Sequence, residues 1–442
     1  MLFSRKDITR LVIPLILEQF FAVTIDIVAS LMVARAGEAA VSGISLVNSV
    51  NALLVQAFSA LATGGAVVCS QYLGKEDLGA ARLSARQLYY SVFAVSSLIT
   101  LITLVLRDQL IRWIFGSLES DVLRATQIYF TMSAISYPML AIYNAGAAVS
   151  RAIGSTRISL FIAILMNVVN IAADYILIIV MELDVMGAGI AMLLARAAGA
   201  FVISLFLMNI NNQVHIRGLF RFSLDFGIIK RILGIGIPSG IENGLFQFGK
   251  VLVTGLVSSF GTASIAAYAV SNNISNFITV PSGALGLAMI TVVGRCIGAG
   301  DVKQARQYTL KLMGVAYADM FITASISFFL ANTILGWYGL TDETNQMAFV
   351  MIRMFAVFAA LFHISSFCMP NALRAAGDVK FTMTVSIICM WAVRVTLSYI
   401  LGLWAGMGVV GVWLAMCLEW TVRSVIFLLR FRGEKWYQHR VI

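Results

Sequence analysis

The chain has little charge and few of the residues that build metal or disulfide sites. Only 12% of its 442 residues are charged, whereas an ordinary soluble domain has roughly 25%. Its five cysteines lie in apolar stretches without paired spacing, which argues against a disulfide framework and a zinc site. They are Cys69, Cys296, Cys368, Cys389 and Cys417. The sequence also has no Walker loop, no H-E-x-x-H motif and no nucleophile constellation, so we do not expect an enzyme.

Apolar residues are what the chain has in excess, because 60% of it is hydrophobic and its mean hydropathy is +0.91. A globule of this size has too little interior to hide so much apolar surface, so the solvent must be a lipid bilayer. Runs of about 20 apolar residues occur twelve times. They are centred near Thr24, Phe58, Ser96, Ser136, Asn170, Gly199, Gln247, Ser282, Ala324, Ala360, Trp391 and Cys417. The sequence therefore predicts an all-α membrane protein with twelve transmembrane helices.

The distribution of positive charge predicts the orientation in the membrane. Of the 31 lysines and arginines, 22 lie in alternate connections that include both ends of the chain, five in the opposite connections and four inside apolar runs. By the positive-inside rule, both termini are cytoplasmic. The net charge of +10 is then mostly an orientation signal, and no nucleic-acid partner is expected. Without a recognisable transit peptide, we expect a multi-pass protein of a bacterial plasma (inner) membrane.

The second half of the chain repeats the first at a separation of 224 residues. The matched pairs include Pro14 and Pro238, Glu18 and Glu242, Gly74 and Gly298, Asp77 and Asp301, Arg82 and Arg306, Tyr175 and Tyr399, and Gly187 and Gly411. A further motif that begins at Arg151 returns at Arg374, 223 residues later. Repetition of this extent indicates a duplication.

Each copy holds six predicted spans, so the two copies enter the membrane in the same orientation, as parallel repeats. We expect an N-terminal six-helix lobe over residues 1–209 and a cytoplasmic linker over 210–230. A C-terminal six-helix lobe with a short cytoplasmic tail follows over 231–442. Two similar lobes can rock against each other around a shared site, which indicates a secondary active transporter.

Two features are interpreted as structural. The repeated motif G-x-x-D-x-x-x-A-R follows the second span of each copy; its glycine is expected to end one helix, and Asp77 or Asp301 to cap the next. Glu419 and Arg423, spaced i, i+4 near a cytoplasmic helix end, are expected to form an ion pair.

Several motifs stand out along nearly the whole chain, from about Ile8 to Phe431. They are Pro14, the Gly74/Asp77/Arg82 turn and its copy, Arg151-Ala-x-Gly, Asn170-x-x-x-Asp174-Tyr175, Gly187-Ala188-Gly189-Ile190-Ala191, and Pro238. Together they resemble the multidrug and toxic compound extrusion family. The resemblance implies two six-helix bundles in a V around a central cavity. It also implies exchange of Na⁺ or H⁺ for small amphipathic, often cationic, organic compounds, with no cofactor besides the coupling ion. We expect a monomer.

Ionisable groups inside the membrane mark functional positions, because each costs at least about 2.5 to 3.5 kcal/mol at mid-bilayer unless it is paired or hydrated. The first copy has Asp26 and Asn170 where the second has Lys250 and Arg394. The interior of the first lobe therefore stays net acidic, whereas the second gains cations. We expect the coupling cation to bind in the first lobe.

Asn170 and Asp174 are the leading candidates for a cation site. Their i, i+4 spacing puts an amide oxygen and a carboxylate on one helix face, as Na⁺ or a proton requires. The family resemblance implies the same role, and a polar clamp between helices is the alternative.

The family has an aspartate on the first helix where this chain has Ala29; Asp26, three residues earlier on a similar face, is our candidate replacement.

Glu18 and Glu242 each follow a proline by four residues, at Pro14 and Pro238. A proline in a helix frees a backbone carbonyl and permits bending, so we expect both prolines to be hinges. Glu18 is then grouped with the cation-coupling residues. The resemblance implies that Glu242, on the seventh span, handles protons or substrate.

Lys250 and Arg394 are grouped with Glu242 as substrate-linked or proton-linked residues. A structural bridge from Lys250 to a carboxylate of another helix is the alternative. Together with Arg196, these cations also keep open a second function, a flippase for a lipid-linked precursor, because such a substrate favours a strongly cationic cavity. The amide and carboxylate pair of the fifth span favours cation-coupled efflux.

Overall fold

A computed structural model describes the backbone of the protein except at residues 1, 34–37, 220–221 and 440, and describes no side chain at residues 5 and 22–38. Within the described part the chain is helical and contains no strand. It forms two compact units, Ser4–Gly240 and Ile241–Val441. The first residues join the second unit, where the Phe3 N–H donates to the Tyr308 hydroxyl oxygen at 3.1 Å.

The first unit contains seven helices and the beginning of an eighth among its described residues. They are α1 Arg5–Val33, α2 Glu38–Gly74, α3 Leu78–Val105, α4 Arg107–Phe115, α5 Ser120–Ala152, α6 Thr156–Asp174, α7 Asp184–Met208 and α8 Phe226–Ser258. A π-helical segment, Tyr175–Val180, continues α6. The boundary between the units falls inside α8.

The second unit contains the rest of α8 and nine further helices in the part of the chain that is described. They are α9 Thr262–Gly298, α10 Val302–Phe329, α11 Ala331–Gly336, α12 Asp342–Phe358, α13 Ile364–Phe367, α14 Met369–Ala375, α15 Val379–Ile388, α16 Thr396–Tyr399 and α17 Gly408–Arg432. π-Helical segments join several of them: Ala359–His363, Cys389–Val395 and Ile400–Trp404. The predicted lobe limits at 209 and 230 stay a prediction.

Nine helical segments of the described chain are long and apolar enough to cross a membrane. The remaining three predicted spans correspond to α1, α5 and α8, of 29, 33 and 33 residues. A 29-residue helix extends about 43 Å, against a hydrocarbon core of about 30 Å. The all-α membrane fold is confirmed, and the number twelve stays a prediction.

The predicted helix-ending turn is confirmed in both copies. Helix α2 ends at Gly74, and the Asp77 carboxylate accepts from the Ala80 backbone N–H at 2.9 Å at the start of α3. Helix α9 ends at Gly298, and Asp301 accepts from the Gln304 N–H at 2.8 Å at the start of α10. The backbone and side-chain donors of Gln304 lower the pKa of Asp301. The motif therefore connects helices in the same way twice.

Helix α5 is central to the first unit and packs against α2, α3 and α7. Its internal Pro138 cannot donate to the Ala134 carbonyl one turn earlier. The Thr100 hydroxyl of α3 donates to that carbonyl at 2.9 Å. The broken backbone bond of the central helix is thus replaced by a side chain from its neighbour.

The same replacement occurs at the first predicted hinge. Pro14 lies inside α1 and frees the Arg10 carbonyl, which accepts a hydrogen bond from the Thr156 hydroxyl at 3.1 Å. Pro238 lies inside α8, but the second copy has Val379 where the first has Thr156. Valine has no hydroxyl, so Val379 cannot donate the corresponding hydrogen bond to the carbonyl that Pro238 frees.

Candidate functional site

The first unit contains a cavity of about 570 Å³ between α2, α5, α6 and α7. Half of its polar lining residues are asparagines, and one carboxylate and one guanidinium lie among the others that the structure describes. These polar residues are Ser45, Asn48, Asn51, Tyr129, Asn167, Asn170, Asp174 and Arg196. The remaining walls are apolar and include the side chains of Met166 and Met192.

Asp174 is the buried acid of this cavity, with only 2% of its surface exposed. The Asn170 Nδ2 donates to the Asp174 Oδ2 at 2.5 Å, so the prediction that the two share a helix face is confirmed. Asp174 is also the last residue of α6 before the π-helical segment begins. Such widened turns occur frequently at functional sites, because they change the direction of the side chains around them. No cation lies within ion-pair distance of Asp174 among the described side chains.

A hydrogen-bond network that holds the lining residue Asn51 of α2 was not predicted from the sequence. The Tyr137 hydroxyl donates to the Asn51 Oδ1 at 3.0 Å, and the Asn51 Nδ2 donates to the Ser133 Oγ at 3.1 Å and to the Asn48 Oδ1 at 3.3 Å. These bonds fix the orientation of the Asn51 amide. The sequence signal that could have indicated it is two asparagines, Asn48 and Asn51, spaced i, i+3 in an apolar span.

Arg196 lines the same cavity as Asp174 without forming an ion pair to it. Its Nη1 donates to the Ser136 Oγ at 2.6 Å, and no carboxylate among the described side chains lies within 4.0 Å of its guanidinium. The cavity lining therefore contains a carboxylate that is hydrogen-bonded to Asn170 and a guanidinium that is hydrogen-bonded to Ser136.

Glu18 lies outside this cavity lining and forms an ion pair. The Arg151 Nη1 is 3.7 Å from the Glu18 Oε1, and the Glu18 Oε2 is buried without a hydrogen-bond partner among the described residues. The pair joins α1, one turn after Pro14, to the end of α5. Asp26 and Ala29 are different: their side chains lie outside the described part of the chain.

The second unit repeats this ion pair. The Arg374 Nη2 donates to the Glu242 Oε1 at 2.6 Å, and the Arg374 Nη1 donates to the Asn371 Oδ1 at 2.9 Å. Glu242 follows Pro238 by one turn, as Glu18 follows Pro14. In the sequence, the glutamates and the arginine motifs are separate repeats, and their contact was not predicted.

The remaining predicted residues of the second unit surround the ring of Phe246. The Lys250 Nζ is 5.8 Å from the ring centroid, and the Cζ atoms of Arg394 and Arg423 are 5.9 and 5.4 Å from it. We call these four residues the Phe246 cluster. Arg423 also lies 3.3 Å from the Glu419 Oε1, which confirms the predicted ion pair. No carboxylate of the described chain lies within 4.0 Å of the Lys250 or Arg394 nitrogens.

A model of the MatE family matches this chain twice, over residues 14–176 and 238–400. The chain belongs to the MatE family. The second match starts at Pro238, which is the counterpart of Pro14 at the start of the first match. This MatE protein is therefore a multi-pass membrane transporter of the secondary type, and not an enzyme.

Two bacterial relatives and a solved structure extend over almost the whole chain. An uncharacterized transporter, YisQ of Bacillus subtilis, is 24% identical over 419 residues, 92% of this chain and 90% of the relative. A probable multidrug resistance protein, NorM of Thermotoga maritima, is 23% identical over 456 residues, 99% of this chain and 94% of the relative. The crystal structure of a MATE protein in the bent conformation matches with a TM-score of 0.90 at 19% identity, covering 97% of this chain and 94% of the other. That structure supports the fold.

Proposed function

We propose that this MatE protein is a cation-coupled antiporter that exports organic cations and other amphipathic compounds by alternating access. The observation that carries the proposal is the buried Asp174 carboxylate in a cavity lined by four asparagines. A carboxylate there without an ion-pair partner among the described side chains attracts a cation, and oxygen donors suit Na⁺ or H⁺. Transport would then follow from exchange of this ion against substrate.

The coupling ion is proposed to bind between Asp174 and Asn170. The Asn170 Nδ2 is used in the bond to the carboxylate, so the Asn170 Oδ1 is the oxygen that the amide can offer to Na⁺. If the ion is a proton, it sits on the Asp174 carboxylate itself, and Asn170 orients the acid. Asp26 is proposed as a second carboxylate for this site, and Glu18 as an acid that responds to bending at Pro14.

In the second lobe, Glu242, Lys250 and Arg394 are the residues we propose to be linked to substrate or protons, with Pro238 as the hinge. Relatives named as multidrug resistance proteins support drug export, and favour it over the flippase considered from the sequence. We further propose a monomer in a bacterial plasma membrane, with both termini cytoplasmic.

The test uses purified full-length protein in proteoliposomes, with ethidium as the transported dye. Sodium and proton gradients are imposed separately on the native protein and on Asp174→Asn. We expect one gradient to drive ethidium transport and the variant to fall to the leak rate, because the neutral amide cannot bind the coupling cation. Asp319→Asn is the matched control, since it removes a carboxylate from α10 of the second unit that does not belong to the cavity lining.

Two outcomes would contradict the proposal. If neither gradient moves ethidium and Asp174→Asn behaves as the native protein does, lipid-linked substrates become the ones to test. The orientation is tested with Asp342→Cys, an exposed position in a chain whose native cysteines are all buried. Blocking of that thiol by cytoplasmic reagents alone would overturn the proposed topology.

A further inference from the structure

The connection between α7 and α8 is attached to the first turns of α3. It accepts hydrogen bonds from α3 through three backbone carbonyls, those of Gln213, Leu219 and Ser223. The Arg82 Nε donates to the first carbonyl at 3.1 Å, the Tyr90 hydroxyl to the second at 2.6 Å and the Gln87 Nε2 to the third at 2.7 Å. The connection therefore has a fixed position on α3, although none of its described residues is helical.

Four basic side chains lie close together where this connection meets α3. Arg82 and Arg86 come from successive turns of α3, and His215 and Arg217 come from the connection. The Arg86 Nη1 lies over Gly218, 3.5 Å from the position that a Cβ would occupy there. Burial and the charges of the three arginines lower the pKa of His215. We call these four basic residues the His215 cluster.

The charge of the His215 cluster is not neutralised within the described part of the chain. No described carboxylate lies within 4.0 Å of the guanidinium nitrogens of its arginines. Because the pKa of His215 is lowered from its ordinary value, the imidazole is neutral at pH 7 and the three arginines supply the charge. Several guanidinium groups at one place suit a phosphate, whose oxygens accept several N–H donors at once.

The second copy has the same connection point without this cluster. His439 stands 224 residues after the first histidine, but its Nε2 lies 3.3 Å from the Asp378 Oδ1. Two of the three arginines are replaced in the second copy, by Leu310 and Val441. The concentration of positive charge is therefore specific to the first copy, and is not a requirement of the repeated helix connection.

Exposed aromatic rings lie next to the cluster, further along α3. Phe222 of the connection is 73% exposed and packs against Tyr90, with ring centroids 5.0 Å apart. Tyr90 is one turn beyond Arg86, about 6 Å along the helix. Phe226 at the start of α8 and Phe93 of α3 are exposed as well. Along this apolar span the order is guanidinium, aromatic ring and apolar side chain, which matches the phosphate, glycerol and acyl chain of a phospholipid.

We propose that the His215 cluster and Phe222 form a binding site for an anionic phospholipid of the phosphatidylglycerol type. The arginines donate to the phosphate, and Phe222 and Phe226 lie against the glycerol and the upper acyl chains. Charge complementarity favours an anionic lipid over a zwitterionic one, and the exposed rings favour a lipid over a free phosphate. The site shares no residue with the lining of the first-unit cavity, and it does not depend on the proposed ion exchange.

Binding is measured with two fluorescent lipids that carry the same nitrobenzoxadiazole-labelled acyl chain and differ in the headgroup, phosphatidylglycerol or phosphatidylcholine. Full-length protein is held in dodecylmaltoside micelles, and titration gives the two dissociation constants. We expect the native protein to bind the phosphatidylglycerol probe about tenfold more tightly. Arg86→Gln and Arg217→Gln should each reduce this preference about threefold, and the double variant should remove nearly all of it.

Arg306→Gln is the matched control from the second copy. Arg306 is the counterpart of Arg82, and its Nη2 likewise donates to a backbone carbonyl, that of Arg432 at 3.4 Å. This variant should keep the native preference. Phe222→Ser should weaken both lipids by a similar factor and leave the preference between them, because the ring carries no charge. Arg82 itself is kept, since its hydrogen bond to Gln213 holds the connection on α3.

Equal affinity of the native protein for the two lipids would overturn the proposal. So would a preference that survives in the double variant, or one that Arg306→Gln reduces as much as Arg217→Gln, because charge spread over the surface would then explain it. Soluble glycerol phosphate, which has no acyl chains, should not displace the labelled lipid. Displacement by it at the affinity of the lipid would overturn the choice of a lipid and identify a free phosphate site. Since no gradient and no change at Asp174 are involved, failure of this test is distinguishable from failure of the antiport test.

Discussion

The first-unit cavity and the Phe246 cluster come from the two copies of one duplicated sequence, but their described polar groups differ in charge. In the first copy, Asn170 and Asp174 lie on one face of α6. The corresponding positions of the second copy are Arg394 and Ser398. The Ser398 hydroxyl donates to the Arg394 backbone carbonyl at 2.7 Å, so it takes the place of the acid without a charge.

The framework around these two sites has changed much less. Both copies have the capped turn. In both copies, a glutamate that follows a proline by one helical turn forms an ion pair with an arginine of another helix. Interior charge can diverge while this framework is kept, because the turn and the ion pairs do not involve the residues that differ. The duplication thus supplied two similar scaffolds, and a few substitutions gave each a different interior charge.

The largest expected effect comes from giving the first copy the residue of the second. Asn170→Arg places a guanidinium beside Asp174, which neutralises the carboxylate and removes the amide oxygen. We expect gradient-driven ethidium transport in proteoliposomes to fall to the leak rate. Asn170→Asp, which keeps an oxygen ligand, should retain part of the transport. Native gradient dependence in Asn170→Arg would show that this position does not take part in coupling.

Asp26 is a second position at which the two copies differ in charge, since its counterpart is Lys250. If Asp26 replaces the carboxylate absent at Ala29, Asp26→Asn should abolish coupled efflux while expression is unchanged. Transport of ethidium under the driving gradient is the measurement, with Asp319→Asn as control. Unchanged efflux in Asp26→Asn would restrict the coupling site to the fifth span.

The two glutamate and arginine pairs should differ in strength. Glu242→Gln removes a charge-assisted hydrogen bond of 2.6 Å and leaves Arg374 without its buried counter-ion. We expect a loss of about 1.5 to 3 kcal/mol in the free energy of unfolding. Glu18→Gln should cost less, because its pair is 3.7 Å apart with similar burial. Thermal unfolding in detergent compares the two, and the double variant Glu242→Gln with Arg374→Met should recover part of the loss. A larger effect at Glu18 would contradict this ranking.

The smallest expected effect is at the first hinge. Thr156→Val introduces the residue found at the matching position of the second copy and removes the donor to the Arg10 carbonyl. We expect a loss of about 1 kcal/mol in the free energy of unfolding. Thr156→Ser, which keeps the hydroxyl, should retain most of the stability. The same thermal measurement tests both, and equal losses would mean that packing of the methyl group matters more than the hydrogen bond.

Local geometry explains which parts of the site were predictable. The Asp77 and Asp301 caps and the Asn170–Asp174 contact all join residues three or four apart, where the helix itself sets the distance. The pairing of Glu242 with Arg374 joins residues 132 apart. The repeat showed that each of these was duplicated, but periodicity alone does not say which long side chains meet.

The amino-acid sequence was enough to predict the membrane class, the duplication, the helix-ending turns and the acidic face of the fifth span. Each depends on composition or on spacing within one or two helical turns. The folded structure was needed to show that Asn51 is held by Tyr137 and Ser133, 86 and 82 residues away. It alone brought Lys250, Arg394 and Arg423 around the ring of Phe246. Such contacts depend on the packing and rotation of whole helices, which many weak interactions along each helix set together.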